Sequence, residues 1–251
     1  MIRLGRWLSV DQLAKRYPQI SPYAFVANSP ILAIDPDGRE IVLYYYDRST
    51  LERKSYIFNP NESYTGDVPQ LKMFYAMYEE LKAKDAADII TDLGNDKENT
   101  LDLIMSWESE TGTDWNEDYK PTEGKDFLGT ITWDPNEGLE FKDVNGGKGR
   151  ISPAIVLIHE LSHLQSLSEL GIIGFFLRLN IKNTYYDNSE ELSAVGDENR
   201  VAEKLGEGIR NHHRGYSIET AGTMSTKTTS ENAKEEKKKM KQEKKQNKKN
   251  N

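Results

Sequence analysis

Two histidines and a glutamate in the segment HELSH are the residues with the clearest capacity for chemistry. They are His159, Glu160 and His163, which form the pattern His-Glu-x-x-His. On a helix, side chains four positions apart lie on the same face, so both imidazoles can bind one Zn²⁺ ion. Glu160 lies one step around the helix, where its carboxylate can take a proton from a water whose pKa zinc lowers to about 7. The pattern predicts a metal-assisted hydrolase, and peptide bonds are its typical substrate.

A zinc site of this kind needs a third protein ligand, which we expect on the next helix. In the segment SEELSAVGDENRV (189–201), Glu191 and Glu198 share one helix face with Ala194, whose small side chain favours a close approach to the HELSH helix. We predict Glu191 as the ligand. Glu198 is the second candidate, or else a group behind the ligands that holds a histidine N–H. Two further carboxylates stay open as alternatives, namely Glu190 and Glu169.

Hydrolysis also needs a hydrogen-bond donor for the oxyanion that develops on the carbonyl. The segment IRNHHRGY (209–216) follows the second helix and offers several donors. We predict a catalytic role for His213 and Tyr216, against the alternative that adjacent histidines mark an ordinary surface loop. The segment FLGTITW (127–133) is predicted as an edge strand beside the cleft, where a substrate backbone can pair, or else as an ordinary core strand.

Local signals predict the two helices that carry these groups. Ser152 is a good N-cap, Pro153 suits the first helical position, and the apolar run AIVLI then precedes the motif. This helix is therefore predicted to be central and buried, with its end at Gly171. Buried histidines need partners, so the alternative to a metal site is a pair of hydrogen-bonded core histidines. The second helix is predicted to run from Ser189, as the N-cap, to Leu205.

The segment 41–150 predicts mixed α and β structure. IVLYYYD (41–47) is rich in β-branched and aromatic residues and predicts a strand. TLDLIMSW (100–107) fits either a strand or a helix. From Pro69, apolar residues recur with the spacing of an amphipathic helix. These residues are Leu71, Phe74, Tyr75, Tyr78 and Leu81.

The composition of the 251-residue chain narrows the chemistry. The chain has no cysteine, which excludes a disulfide scaffold, a thiol nucleophile and a cysteine-ligated zinc site. The net charge of −8 divides into an acidic body and a basic end, since residues 227–251 hold ten Lys and four Glu. We predict that residues 219–251 form a disordered tail, because they are too polar to bury a core. The tail has no interleaved aromatic residues, so we expect no specific nucleic-acid binding.

Neither a membrane span nor a signal peptide is predicted. The longest apolar stretch, GIIGFFLRLNI (171–181), is interrupted by Arg178 and is shorter than the roughly 20 residues that cross a bilayer. The start of the chain, MIRLGRWLSVDQLAK, has basic residues but lacks the apolar region of a signal peptide.

Residues 5–40 resemble the C-terminal end of the Rhs repeat-associated core domain. The matching pieces are GRWLSVD, LAKRYP, SPYAFVANSP and IDPDG. In that family the core is the edge of a large β-shell, and a variable toxin domain follows it. The resemblance implies that residues 1–40 are a turn-rich β remnant of such a shell and that a toxin domain comes next.

A second resemblance covers roughly residues 127–216. TITWDP, SPAIVLIHELSHLQS and EELSAVGDENRVAEKLG are similar to segments of the effector-type HExxH zinc metallopeptidases found at toxin C-termini. This resemblance implies His159 and His163 as metal ligands, Glu160 as the general base, and the segment from Glu191 to Asn199 as the downstream motif. The implied fold is α+β and zincin-like, with a central HExxH helix, a second ligand-bearing helix and a small β-sheet.

We therefore expect a remnant of an Rhs core (1–40), a zincin-like metallopeptidase domain (41–218) and a disordered tail (219–251). The expected function is zinc-dependent hydrolysis of a target protein by the toxin domain of a bacterial Rhs-type polymorphic toxin, secreted or delivered within a larger protein. A protein substrate, a cognate immunity protein and an Rhs shell are the expected partners. The alternative is a non-enzymatic fragment of an Rhs shell, or a binding module whose zincin-like domain is inactive.

Overall fold

A computed structural model describes residues 41–247 apart from 48–49, 51, 97, 108–109 and 117–125. The described part is α+β, with helices α1 to α5 and strands β1 to β10 in three sheets. This agrees with the coarse fold class that the sequence predicts. The segment that resembles an Rhs core, residues 1–40, lies outside the described residues.

The largest sheet has five strands in the order β2-β1-β3-β5-β4. β1, β3 and β5 run parallel, whereas β2 and β4 pair antiparallel at the two edges. The strands are Ile41–Asp47 (β1), Glu52–Ile57 (β2), Asn99–Met105 (β3), Gly112–Trp115 (β4) and Asp126–Trp133 (β5). TLDLIMSW thus forms most of strand β3. The edge-strand prediction for 127–133 is wrong, because β4 covers that side of β5 and is itself the edge strand.

Two helices contribute apolar side chains to the core beside this sheet, and the first of them contacts β1. α1 spans Pro69–Ala83 and α2 spans Asp88–Asn95. All five apolar positions predicted for the first helix are buried, so the helical spacing identified its core face correctly. Phe74 packs edge-on against Trp133 at the end of β5, with ring centroids 6.3 Å apart.

A second, three-stranded antiparallel sheet has the order β10-β6-β7. Its strands are Glu137–Lys142 (β6), Lys148–Ile151 (β7) and Tyr216–Glu219 (β10). A two-stranded hairpin, Lys182–Asn183 (β8) with Asp187–Asn188 (β9), precedes the fourth helix.

Helix α3, Pro153–Asn180, carries the HELSH motif and contacts strands of both larger sheets. It begins at Ser152 and Pro153 as predicted, and Trp133 Nε1 donates to the Pro153 carbonyl at 3.0 Å. The predicted end at Gly171 is a kink instead. Gly171 adopts φ 65°, a left-handed value that glycine tolerates, and helical structure then resumes as far as residue 180.

Helix α4, Ser189–Leu205, packs against α3 and matches the predicted limits. Its N-cap is Asn188, whose side chain accepts hydrogen bonds from the backbone of Glu190 and Glu191 at 2.9 Å each. Ser189 is therefore the first helical residue and not the cap. The side chain of Ala194 is fully buried in this packing.

Residues 219–247, the described part of the predicted disordered tail, include a helix and buried side chains. Helix α5 spans Thr229–Asn247, and the preceding Thr220 and Thr223 are buried. A capping box starts the helix, because Thr228 N donates to Glu231 Oε2 at 3.0 Å and Glu231 N donates to Thr228 Oγ1 at 3.3 Å. Arg150 on β7 forms an ion pair with Glu231, with 2.6 Å between Nη1 and Oε2, and this pair connects the helix to the second sheet. The predicted C-terminal boundary of the metallopeptidase domain, residue 218, falls inside β10.

In the part of the chain that the structure describes, no helix is long and apolar enough to span a membrane.

Candidate metal centre

Helices α3 and α4 bring His159, His163 and Glu191 together. Their ligand atoms all lie within 4.8 Å of one another. Glu191 Oε2 is 3.3 Å from His159 Nε2 and 3.7 Å from His163 Nε2. The two imidazole rings stand perpendicular, with centroids 5.0 Å apart. Three ligand atoms carried by helices α3 and α4 therefore converge, and they belong to the three residues that the sequence predicts as ligands.

A carboxylate lies behind each histidine of this group. His159 Nδ1 is 3.1 Å from Glu198 Oε2, and His163 Nδ1 is 3.4 Å from Glu190 Oε1. Both glutamates are fully buried. Carboxylates in this position fix the orientation of a metal-binding imidazole and raise its basicity.

The alternative ligands of the sequence analysis take other positions in the structure. Glu198 lies where its second expected role, that of a group holding a histidine N–H, requires. Glu190 takes the same kind of position on His163, because the first turn of α4 points it to the far side of the ring from Glu191. Glu169 is exposed near the end of the first segment of α3 and is not part of the group.

A buried arginine that we did not predict compensates the charge of Glu198. Arg210 donates from Nε to Glu198 Oε1 at 2.7 Å and from Nη2 to Oε2, and its exposed fraction is only 4%. It also donates from Nη1 to the His213 carbonyl at 3.1 Å. The Asn199 side chain binds the Arg210 backbone twice: Nδ2 donates to the Arg210 carbonyl at 2.7 Å, and Oδ1 accepts from the Arg210 N–H at 3.0 Å. Arg210 thus links the carboxylate behind His159 to the loop that carries His213.

Opposite charges dominate the electrostatics of the group. Burial lowers the pKa of His159, but the carboxylates of Glu191 and Glu198 outweigh burial and raise it to about 9. Burial raises the pKa of Glu191, but His159, His163 and His213 outweigh it and lower the value to about 2. The pKa of Glu198 is also lowered, since His159 and Arg210 outweigh its burial. The carboxylates are anionic at neutral pH and favour a cation between the rings.

The donor set fits a zinc ion. Two imidazole nitrogens and one carboxylate oxygen are the protein ligands of many catalytic zinc sites, which keep a fourth position open. Glu191 Oε2 is buried and has no hydrogen bond of regular geometry among the described residues, although imidazole nitrogens surround it. A buried anionic oxygen without such a bond is costly unless a cation or donor compensates it.

Glu160 faces a cavity of about 270 Å³ that His159 also lines. Its Oε2 accepts a hydrogen bond from Thr113 Oγ1 at 2.7 Å. Thr113 lies on the edge strand β4, and its hydroxyl is also 3.3 Å from the Glu160 carbonyl. Thr113 was not predicted, because its four-residue strand carries little periodic signal. The predicted general base is partly exposed and is held by a neutral donor.

Of the two predicted oxyanion donors, the structure brings only His213 to the group. Its Nε2 is 3.1 Å from Glu191 Oε2, and its ring stacks on that of His159 with centroids 5.5 Å apart. Asp187, which we did not predict, lies 3.0 Å from His213 Nδ1. Because Glu191 and Asp187 contact both ring nitrogens, the imidazole is fixed in orientation.

The structure does not bring Tyr216 to the group. Its side chain is 60% exposed, and its hydroxyl donates to Glu140, the residue opposite it on β6. The strand register therefore points Tyr216 away from the histidines, and its predicted catalytic placement is wrong. His212 Nε2 contacts the Lys142 carbonyl at 3.1 Å, which also lies outside the group.

No protein-family model matches the sequence, and no curated protein matches it either. Among solved structures, the chain is similar to one described as the botulinum neurotoxin serotype HA light chain. The identity is 10%, the match covers 69% of this chain and 68% of that chain, and the TM-score is 0.28. A likeness this distant carries no functional argument, so the geometry of the metal group stands alone.

Proposed function

We propose that this chain is a zinc-dependent peptidase of zincin-like fold, built around helices α3 and α4. The observation that carries the proposal is the convergence of His159, His163 and Glu191, with Glu160 beside them in a cleft. The two buried carboxylates behind the histidines support it, because hydrogen-bonded core histidines would not need two ionisable partners each.

His159, His163 and Glu191 would hold the zinc ion. When bound, zinc polarises a carbonyl and lowers the pKa of a water molecule. Glu160 then accepts the proton of the attacking water and passes it to the leaving amine. Thr113 fixes the carboxylate of Glu160 for this transfer by donating to Oε2.

His213 supplies a donor for the developing oxyanion in this proposal. Asp187 contacts Nδ1 and orients the ring, and His213 lines the cleft, where its Nε2 is the candidate donor. Arg210 holds the His213 carbonyl and so fixes the loop against α4.

The edge strand β4 favours a polypeptide as the substrate. Among the described residues, no strand pairs with the side of β4 that faces away from β5. The free backbone groups of an edge strand can pair with an extended peptide, and Thr113 places this edge next to Glu160.

We further propose that this peptidase is the toxin domain of an Rhs-type polymorphic toxin. The support is the resemblance of residues 5–40 to the end of an Rhs core. On this proposal the chain acts after delivery within a larger protein, and a cognate immunity protein covers its active-site cleft in the producing cell.

Metal analysis combined with proteolysis tests the peptidase proposal. We expect about one zinc per chain and cleavage of a denatured proteome extract. Glu160→Gln should keep the zinc and lose at least about 100-fold in rate, since general acid–base catalysis contributes that much or more. Full proteolysis by Glu160→Gln contradicts the mechanism. Unchanged zinc content in the double variant His159→Ala/His163→Ala favours a non-enzymatic shell fragment or binding module instead.

A further inference from the structure

The cleft over the metal group does not end at Glu160. Its walls include Glu110, Glu137 and Ser217, and the same three residues line a neighbouring cavity of about 460 Å³. Because the two cavities share these walls, they lie next to each other on the surface. We call the second cavity the acidic arm and define it by its charged lining residues, Glu110, Asp134, Glu137 and Glu219.

The acidic arm carries negative charge that its own walls do not compensate. No Lys or Arg is among the described residues that line it. Glu137 accepts hydrogen bonds from Thr111 N at 2.7 Å and from the Ser217 hydroxyl, which are neutral donors. Glu219 likewise accepts from the neutral Thr229 hydroxyl at 3.2 Å. A cleft lined by one sign of charge concentrates ligands of the opposite sign.

The state of Asp134 agrees with this excess of negative charge. Burial raises its pKa, and the neighbouring Glu137 and Glu219 raise it further, against the one hydrogen bond from Asn136 N at 2.8 Å. Burial and the two neighbouring carboxylates disfavour the ionised form of Asp134, and together they outweigh the hydrogen bond from Asn136. A cation in the arm would stabilise the ionised carboxylate of Asp134 against these effects.

Trp107 connects the acidic arm to an aromatic cavity of about 560 Å³. This cavity lies where the parallel strands β1 and β3 end, and its apolar lining includes Tyr45, Val68 and Met73. The indole of Trp107 can contact either the stem of a basic side chain or the face of an aromatic one. The acidic arm thus adjoins the catalytic cavity through three shared residues and the aromatic cavity through Trp107.

We propose that the acidic arm binds a Lys or Arg side chain of the polypeptide substrate, within about three residues of the scissile bond, and that the aromatic cavity takes an apolar side chain farther along. An extended chain advances about 3.3 Å per residue, so a cavity that shares walls with the catalytic cavity is reached within a few residues. This inference rests on the proposed peptidase function. It adds the class of sequence that the enzyme selects.

Cleavage of a proteome-derived peptide library by the zinc-loaded protein tests the preference directly. We expect Lys and Arg to be enriched at one position within three residues of the cut. The double variant Asp134→Asn/Glu219→Gln should lower kcat/KM for a Lys peptide by about fivefold, the upper range for partly exposed ion pairs. The same variant should leave kcat/KM unchanged for the matched norleucine peptide. Glu80→Gln/Glu203→Gln, which replaces two exposed carboxylates on α1 and α4, is the charge-matched control.

Equal losses for the Lys and norleucine peptides would overturn the inference, because they would report a structural defect and not charge recognition. A binding measurement separates this inference from the peptidase proposal. Fluorescein-labelled octapeptide pools with one fixed Lys or one fixed norleucine are titrated against zinc-loaded Glu160→Gln protein. If the Lys pools bind more tightly but the wild type hydrolyses no peptide, the peptidase proposal is wrong and the proposal that the acidic arm binds a basic side chain is supported. Equal binding overturns the acidic arm whether or not the wild type hydrolyses.

Discussion

The ion pair between Arg210 and Glu198 gives the sharpest energetic prediction. Both side chains are essentially buried, and Arg210 donates two hydrogen bonds to the carboxylate. Arg210→Met keeps much of the stem volume but leaves Glu198 in the interior with only His159 as a partner. Removing one partner of a buried pair costs about 3–5 kcal/mol, so the free energy of unfolding should fall by that amount. Urea unfolding of the metal-free protein, followed by tryptophan fluorescence, measures the loss.

Two further variants separate the pair energy from a general packing defect. Arg200→Met on α4, the helix of Glu198, breaks a pair with Asp197 whose side chains are 49% and 32% exposed, so it should cost less than about 1 kcal/mol. The double variant Arg210→Met/Glu198→Gln should recover a large part of the loss, because it leaves no unpaired carboxylate. A loss below about 1 kcal/mol in Arg210→Met, or no recovery in the double variant, would refute the assignment of Arg210 as the compensating charge.

Three other changes probe the surroundings of the site. Burial raises the pKa of Glu207 to about 7, while its carboxylate accepts from Ser152 N at 2.6 Å at the start of α3. Its contribution to the free energy of unfolding is therefore full below pH about 4.5 and is lost as pH rises to about 7, and the loss is at most about 3 kcal/mol. Glu207→Gln should reduce this pH dependence of the free energy of unfolding, measured by urea titrations between those pH values. Thr113→Val should lower kcat by about threefold to tenfold with unchanged zinc content, because the hydrogen bond to Glu160 is lost; an unchanged kcat argues against a positioning role. Tyr216→Phe should retain the wild-type kcat in a peptide assay, and a tenfold loss would restore Tyr216 to the catalytic group.

The sequence predicted which three side chains converge, because their spacing is local to two helices. The spacing of His159 and His163 needs only one helix, and Ser152 with Pro153 marks where that helix begins. Glu191 required one more assumption, that α4 packs its Ala194 face on α3, and the structure has this packing.

Residues that reach the site from elsewhere in the chain could not be predicted in the same way. Thr113 lies on a four-residue strand whose place beside β5 depends on long-range pairing. Arg210 lies in an irregular segment and Asp187 in a two-residue strand, and charged residues in such connections are usually solvated. Tyr216 was predicted to reach the site but does not, because the register of β10 on β6 places its side chain against Glu140 and away from the histidines.

Helix α5 was missed although a local signal was present. The pattern from Thr228 to Glu231 is a capping box, which marks a helix start. The Lys-rich composition outweighed it in our prediction of disorder. The ion pair of Arg150 with Glu231, which composition cannot reveal, anchors the first turn to β7.

The central claim is that His159, His163 and Glu191 bind a zinc ion. Anomalous diffraction at the zinc absorption edge from crystals of the zinc-loaded protein tests it most directly. We expect one strong peak about 2.0–2.2 Å from Nε2 of both histidines and from a carboxylate oxygen of Glu191. A peak at any other group of side chains, or none at this one in zinc-saturated crystals, would contradict it.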